Sequence, residues 1–252
     1  MDYIKSRILD RFSDGGRYFR GEYNKSSLEY ILDAKKAFPF WENVCFEFYQ
    51  DRTRQRYQII KDFFSNQIGD RILDVGSRDD TAEKFLNKKV VLIDKNNTNL
   101  DSWDWEKDFI PFSDKEFDTV ICLDTMEHIN DIHRSIGDLF RVSKGTVIIS
   151  LPNCWKKTYK KFVRGFGSGA SYGLPPEKPM DRHKWFFNTE DIDNFIFYNA
   201  HKSGFQVSGI VYHMPKTVLW HKIVFPIMKF LPERYAKNLL VETELVVLKR
   251  IS

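Results

Sequence analysis

Four short runs rich in β-branched residues alternate with helical stretches in the middle of the chain, and this alternation limits the fold more than any other feature. The runs are RILDVG, KVVLIDK, FDTVICLD and GTVIISLPN, and each ends in polar or small residues. Strands that alternate with helices form a parallel, doubly wound sheet, because each helical crossover returns the chain to the same end of the sheet. The sequence therefore predicts an α/β fold built on a mostly parallel sheet.

The N-terminal quarter of the chain reads as helical. The pattern predicts helix from Leu28 to about Phe64, and DRTRQRYQIIKDFF places Tyr57, Ile60 and Phe64 on one face at spacings of three and four. We interpret residues 1–56 as an N-terminal helical extension or lid, and residues 57–252 as one α/β domain.

Two insertions interrupt the predicted domain. Residues 154–183 are rich in Gly, Pro and Lys and read as a loop or lid, and residues 212–240 are basic and aromatic. Between them, Asn188 or Thr189 starts a helix that Gly204 ends. FQVSGIVYH and ETELVVLKR then supply the two last strands.

Composition excludes several classes of protein. A net charge of +4 over 252 residues is too small to indicate a nucleic-acid partner. Three widely separated cysteines without a CxxC pair argue against a disulfide framework and fit a reducing cytoplasm. The N-terminus carries no apolar signal-peptide core, so we expect a cytoplasmic protein.

Acidic residues stand where the predicted strands end, which is where ligands bind in open parallel sheets. Asp94 follows VVLI and lies 18 residues after Gly76, the separation at which a second strand places a carboxylate beside a ribose. The alternative is an ordinary loop aspartate.

The loop after the first run contains one glycine, in GSRDDT. A dinucleotide site needs G-x-G-x-x-G so that the pyrophosphate can approach a helix N-terminus. Asp74, two residues before Gly76, would repel a pyrophosphate but would attract a cationic ligand such as a sulfonium. A nicotinamide-dependent enzyme is therefore disfavoured.

The order of these motifs resembles that of class I S-adenosylmethionine-dependent methyltransferases of the small type 11 kind. LDVGSRDD matches the family's acid and first glycine at Asp74 and Gly76, VVLID supplies the second acid, and DWEKDFIPFSDKEFDTVICLDTMEHI and VIISLPN continue the order. Arg78 and Asp80 replace the second and third glycines of the family pattern. The resemblance implies a Rossmann-like sheet with a final antiparallel strand and S-adenosyl-L-methionine as cofactor.

Carried over residue by residue, the resemblance implies a cofactor site at the strand ends. Asp94 would hold the ribose, Asp104 would accept from the adenine amine, and the backbone N–H of Trp105 would face the same ring. The implied set is Asp74, Gly76, Ser77, Asp94, Lys95, Asp104, Trp105, Leu123 and Asp124. Glu106 or Asp108 could replace Asp104, and Trp103 and Trp105 could instead be core aromatics.

Two histidines are candidates for the catalytic base. His128 follows the fourth-strand motif and should begin a helix over the site, and His183 follows the predicted lid. Histidine titrates near neutral pH and suits proton transfer from an acceptor, although His128 could equally line the pocket. His133 lies on a different helical face, so these spacings predict no metal site.

The sequence predicts methyl transfer to an oxygen or nitrogen of a small molecule, sugar, glycolipid or polysaccharide intermediate. The basic and aromatic insertion 212–240 suggests peripheral membrane contact, with a solvated surface as the alternative. A non-catalytic or regulatory protein that has lost the cofactor is the alternative function, because GSRDD lacks glycines. The acceptor and the oligomeric state do not follow from the sequence.

Overall fold

The computed structural model describes residues 25–45, 52–77, 79–95, 103–166, 171–179, 181–214, 223 and 225–251. Arg78 and part of the insertion 212–240 lie outside the described residues. None of the helices within the described ranges combines the length and the apolar character needed to cross a bilayer.

Seven strands of the described chain form one mixed sheet. They are β1 (Val44–Cys45), β2 (Ile72–Val75), β3 (Val90–Ile93), β4 (Phe117–Leu123), β5 (Ser143–Pro152), β6 (Phe205–His213) and β7 (Thr243–Arg250). Their order across the sheet is β1-β6-β7-β5-β4-β2-β3. Neighbours pair in parallel except β7, which is antiparallel to β5 and β6. The predicted Rossmann-like sheet with a final antiparallel strand is confirmed.

Helices cover both faces of this sheet. They are α1 (Lys25–Ala37), α2 (Arg52–Phe64), α3 (Thr81–Leu86), α4 (Ile132–Val142), α5 (Cys154–Val163), α6 (Thr189–Lys202) and α7 (Glu233–Leu240). Among the residues that the structure describes, three short 3-10 turns occupy Phe40–Glu42, Ser65–Gln67 and Met126–His128.

Successive side chains of each strand point to opposite faces of the sheet, so the buried residues are divided between two cores. Val147 and Ile149 of β5 pack with apolar residues of α1, α4, α6 and α7, whereas Ile148 between them packs with α2 and α3. Successive strand side chains point to opposite faces, so one β-branched run serves both cores. Each such fully buried side chain contributes about 1.5–3 kcal/mol. Packing on both faces of the sheet therefore positions its strand ends.

The prediction of one continuous helix over residues 28–64 is wrong. α1 ends at Ala37, and Pro39 follows with φ of −63°. Proline has no N–H to donate, and it disfavours helical backbone in the residue before it. After the 3-10 turn, β1 pairs with β6 at the edge of the sheet, and α2 begins only at Arg52. The division of the chain at residue 57 stays a prediction.

The predicted loop over residues 154–183 begins instead with α5. Asn153 caps this helix, because its side chain accepts from the N–H of Lys156 at 3.2 Å. Its amide also donates to the carbonyls of Asn238 and Val241, each at 3.0 Å. One buried asparagine thus joins β5, α5 and the end of α7.

The start of α4 also differs from the prediction. His128 lies in the 3-10 turn, and α4 begins at Ile132, where the side chain of Asp131 accepts from Arg134 N–H.

The predicted cap of α6 is confirmed at Asn188, which forms a reciprocal capping box with Asp191. Gly204 follows α6 with φ of +74°, as expected for a helix stop.

Candidate active site at the strand ends

Asp74 near the end of β2 is the most deeply buried carboxyl group of the predicted cofactor set. It is 1% exposed, and the hydroxyl of Tyr57 in α2 donates to its Oδ2 at 2.7 Å. Burial raises the pKa of Asp74 to about 7, although the hydrogen bonds from Tyr57 and Ser77 act in the opposite direction. This side chain therefore changes charge near neutral pH, and a cation beside it would favour the ionised form.

Gly76 ties the loop after β2 to both neighbouring strands. Its N–H donates to the carbonyl of Ile93 in β3 at 2.7 Å, and its φ is +86°. A Cβ at this position would lie 2.3 Å from Oγ1 of Thr125, just after β4. Glycine is required here for both reasons, which explains why the loop keeps this glycine.

The described part of the loop after Gly76 tolerates the replacement of the third glycine. Ser77 is buried, and its hydroxyl donates to the carbonyl of Asp79 at 3.0 Å. Asp80 has φ of −78°, a conformation open to any L-residue. The missing third glycine at Asp80 therefore introduces no backbone strain, and α3 begins directly after it.

Asp94 and Lys95 follow β3. The Gly76–Ile93 hydrogen bond places Asp94 beside the glycine loop, and its side chain is buried while Lys95 is exposed. The carboxylates of Asp74 and Asp94 thus lie at the ends of two paired parallel strands.

Asp104 lies close enough to Lys95 for the two charges to interact. Partial burial raises the pKa of Asp104, but the N–H of Glu106 and the ammonium groups of Lys95 and Lys107 outweigh this effect and lower it. Asp104 is therefore ionised. The Glu106 carboxylate accepts instead from the backbone and side chain of Asn130.

Trp103 and Trp105 are both buried in the core, with their rings 6.2 Å apart. The indole N–H of Trp103 donates to the carbonyl of Phe109 at 2.9 Å. Within the described residues, Nε1 of Trp105 has no hydrogen-bond partner. Trp105 is thus a core aromatic whose polar edge is unsatisfied.

The loop after β4 closes the site on its other side. Leu123 is half-buried, and Asp124 takes the left-handed conformation with φ of +46°. Asp124 forms an ion pair with Arg56 of α2 and accepts from the hydroxyl of Ser150 at 2.7 Å. α2 therefore contacts the ends of both β2 and β4.

His128 and His183 meet at the same end of the sheet, although 55 positions separate them. Their rings pack edge to face with centroids 4.8 Å apart. His128 Nδ1 lies 2.8 Å from Oδ1 of Asp181, and His183 Nδ1 lies 2.7 Å from the hydroxyl of Tyr172.

The carboxylate of Glu127 is 1% exposed and lies 3.8 Å from Nε2 of His128. His133 is exposed and contacts Trp185 and Phe195 instead.

Residues 47–207, just under two thirds of the chain, match the family model described as a methyltransferase domain. The chain belongs to this methyltransferase family. It is an enzyme of the class I fold with S-adenosyl-L-methionine as its cofactor, as the motif order implied. The non-catalytic alternative is therefore set aside.

Solved methyltransferase structures resemble the chain only distantly. Magnesium protoporphyrin IX methyltransferase from Synechocystis PCC 6803, with bound SAH, is 15% identical, with 98% of this chain and 100% of that chain covered and a TM-score of 0.47. A S-adenosylmethionine-dependent methyltransferase from Mesorhizobium loti is 13% identical, with coverages of 73% and 92% and a TM-score of 0.42. A search of curated proteins finds no match.

Sequence reasoning missed three side chains that shape the site of this methyltransferase. Tyr57 was placed only on the apolar face of a helix; it is buried, and its hydroxyl also donates to Asp74. Arg56 and Tyr172 were given no role. None of these contacts follows from local spacing, because each joins segments that are distant in sequence.

Proposed function

We propose that this methyltransferase transfers a methyl group from S-adenosyl-L-methionine to an oxygen or nitrogen of a small-molecule or glycan acceptor. The observation that carries the proposal is the grouping of Asp74, Gly76 and Asp94 at the ends of β2 and β3. Transfer is an in-line displacement at an electrophilic methyl carbon, so orientation of the two reactants supplies most of the acceleration.

We assign the contacts with the ribose and the adenine to residues that follow the strands. Asp94 would accept hydrogen bonds from the ribose hydroxyls, and Asp104 would accept from the adenine amine. Glu106 is less suited to this role, because its carboxylate already accepts from Asn130. Lys95 and Trp105 flank the same region.

The methionine end would lie between the loops after β2 and β4. Asp74, Gly76 and Ser77 supply one wall, and Leu123 and Asp124 supply the other. The raised pKa of Asp74 supports this placement, because the sulfonium and ammonium groups of the cofactor would stabilise the buried carboxylate.

The acceptor would enter on the side of His128 and His183. Both side chains lie just beyond β4, and His128 is partly exposed. We propose that they contact the acceptor, where either could remove a proton.

Calorimetric titration of the purified chain with S-adenosylmethionine and SAH tests the cofactor site. We expect Asp94→Ala to weaken binding at least tenfold, because two charge-assisted hydrogen bonds to the ribose are lost. Asp80→Ala is the matched control, since Asp80 is exposed, ends the same loop and pairs only with Lys84 at the surface among the described residues. Equal affinity of both variants for SAH would contradict the ribose role.

An amphiphilic or lipid-linked glycan acceptor is supported by the surface around α5 and α7. Large apolar side chains are exposed there together with cations; they are Trp155, Phe162, Ile227, Phe230, Tyr235, Lys161, Arg164, Lys229 and Arg234. This combination suits an anionic membrane surface, and a glycolipid or polysaccharide intermediate would be presented there.

Sedimentation with phosphatidylglycerol vesicles tests the membrane contact. We expect the chain to sediment with anionic vesicles, and Ile227→Ser combined with Phe230→Ser to reduce the bound fraction severalfold, because two exposed apolar contacts are lost. Phe63→Ser is the control, since Phe63 is an exposed aromatic on α2. A wild-type chain that stays in the supernatant would leave a soluble acceptor as the proposal.

A further inference from the structure

Glu127, His128 and His183 form a cluster that the cofactor site does not use. One ligand atom from each side chain lies within 4.8 Å of the other two. Glu127 and His183 are buried, and His128 is partly exposed, so the cluster is open on one side. These three residue types are common ligands of divalent metal ions.

The surroundings orient both imidazole rings for metal binding. Asp181 contacts Nδ1 of His128 at 2.8 Å, which favours a proton on Nδ1 and leaves the lone pair on Nε2, the nitrogen that faces Glu127 at 3.8 Å. The hydroxyl of Tyr172 contacts Nδ1 of His183 at 2.7 Å. A metal-binding histidine usually donates its second ring N–H to a carboxylate, a backbone carbonyl or water. The Tyr172 hydroxyl donates to the carbonyl of Trp185 at 3.1 Å, so its oxygen can accept from Nδ1–H of His183 in the same way.

We propose that Glu127, His128 and His183 bind one divalent transition-metal ion such as Mn²⁺, Co²⁺ or Zn²⁺. The carboxylate of Glu127 and the Nε2 atoms of both histidines are the ligands. Ligand atoms about 2.1 Å from one metal lie about 3 to 3.5 Å from each other, so the side chains need to move together by about 1 Å or less to close the site. Two imidazoles select these ions over Mg²⁺ and Ca²⁺, which prefer oxygen ligands.

The buried position of Glu127 agrees with this assignment. Its side chain is 1% exposed, and a dication between Glu127 and the two rings would favour the ionised form of this buried carboxyl group. His128 and His183 come from segments on either side of α5, so a bound ion would also join the 3-10 turn after β4 to the segment before α6.

Three protein ligands leave open coordination positions, as in catalytic rather than structural metal sites. An acceptor hydroxyl bound at such a position would lose its proton to solvent more readily. The resulting alkoxide would attack the methyl carbon, and the breaking C–S bond would leave its electron pair on sulfur. This role rests on the proposed function and favours an oxygen acceptor, whereas metal binding itself does not rest on it.

The test uses the full chain, without a polyhistidine tag and treated with EDTA, titrated with CoCl2 and followed by the visible absorption of bound Co²⁺. We expect one equivalent to bind, and MgCl2 in tenfold excess not to displace it. Glu127→Gln, His128→Gln and His183→Asn should each weaken binding more than tenfold. Asp181→Asn should weaken it by about tenfold, because Asp181 orients His128.

His133→Gln is the matched control, because His133 is an exposed histidine of α4 that stands outside the cluster. His128 and Asp181 are partly or largely exposed, so their variants are expected to fold even where Glu127→Gln is unstable. No saturable Co²⁺ binding, or equal binding by His128→Gln and His133→Gln, would overturn the metal site and leave the histidines as candidate bases. SAH titration of the same samples separates this outcome from failure of the cofactor site.

Discussion

Two buried aspartates, one near the end of a strand and one in a helix, show how one residue type serves two purposes. Asp74 at the end of β2 faces the hydroxyls of Tyr57 and Ser77, and burial raises its pKa to about 7. Asp193 in α6 is equally buried, but Lys237 at 3.3 Å and Lys35 at 4.0 Å outweigh its burial and lower its pKa. The protein supplies the counter-charge for Asp193, whereas a cationic ligand would supply it for Asp74.

The largest change in the free energy of unfolding is expected at Asp193, where the protein itself supplies the counter-charge. Lys237→Met removes the cation that interacts with Asp193 and the buried Glu244, and it should lower the free energy of unfolding by about 3 kcal/mol or more, because a buried charge loses its main partner. For a chain of this size Tm should fall by about 6 to 12 °C.

Lys36→Met is the control for that experiment. Lys36 pairs with Asp33 on the exposed face of α1, and exposed pairs contribute about 0–1 kcal/mol. Thermal melts in which both variants change Tm equally would show that Lys237 does not stabilise Asp193 as described.

Replacement of Asp74 should change the free energy of unfolding by a smaller amount, with the opposite sign and with a dependence on pH. Its pKa is raised from 3.8 to about 7 on folding, so native stability is lost as pH rises through this range. Asp74→Asn avoids that loss and should be more stable than wild type by about 2 kcal/mol at pH 8, with little or no gain at pH 5.

The same variant should bind S-adenosylmethionine more weakly at pH 8, because the carboxylate that faces the cationic cofactor is gone. Thermal melts across this pH range and calorimetry at pH 8 measure the two effects. A stability difference that is constant with pH would contradict the raised pKa.

The smallest change in stability and in cofactor binding is expected for Tyr57→Phe. The Tyr57 hydroxyl lowers the pKa of Asp74 within its buried site, so removal should raise that pKa further and move the pH dependence of cofactor binding to higher pH. The loss of this hydrogen bond corresponds to about 1 kcal/mol. Tyr30→Phe, which removes a hydroxyl that binds Val207 N–H in the other core, should leave the pH profile unchanged.

The sequence predicted the parts of the fold that depend on local pattern. The runs rich in β-branched residues became β2, β3, β4 and β5, since branching at Cβ favours extended backbone over helix. Asp94 was expected at the end of the strand that follows Gly76, and the parallel pairing of β2 with β3 brings that strand end beside the glycine loop. The cap at Asn188 followed from its own side chain and that of Asp191.

Contacts between distant segments could not be predicted in this way. His128 and His183 meet because the segment before α6 crosses over the 3-10 turn, where Lys184 N–H donates to the carbonyl of Glu127 at 2.7 Å. Similarly, Arg56 reaches Asp124 because α2 packs across the strand ends. α5 was missed because the Gly and Pro residues after it suggested a loop over the whole stretch.

The lengths of the two edge strands bear on how copies of the protein meet. β1 contributes two residues and β3 four, whereas the inner strand β5 contributes ten. Lys88 and Lys89 precede β3 and place charge at that edge. Along the described edges, few backbone groups are therefore open to pairing with another chain, which disfavours growth of the sheet into intermolecular β-aggregates even when the protein is concentrated.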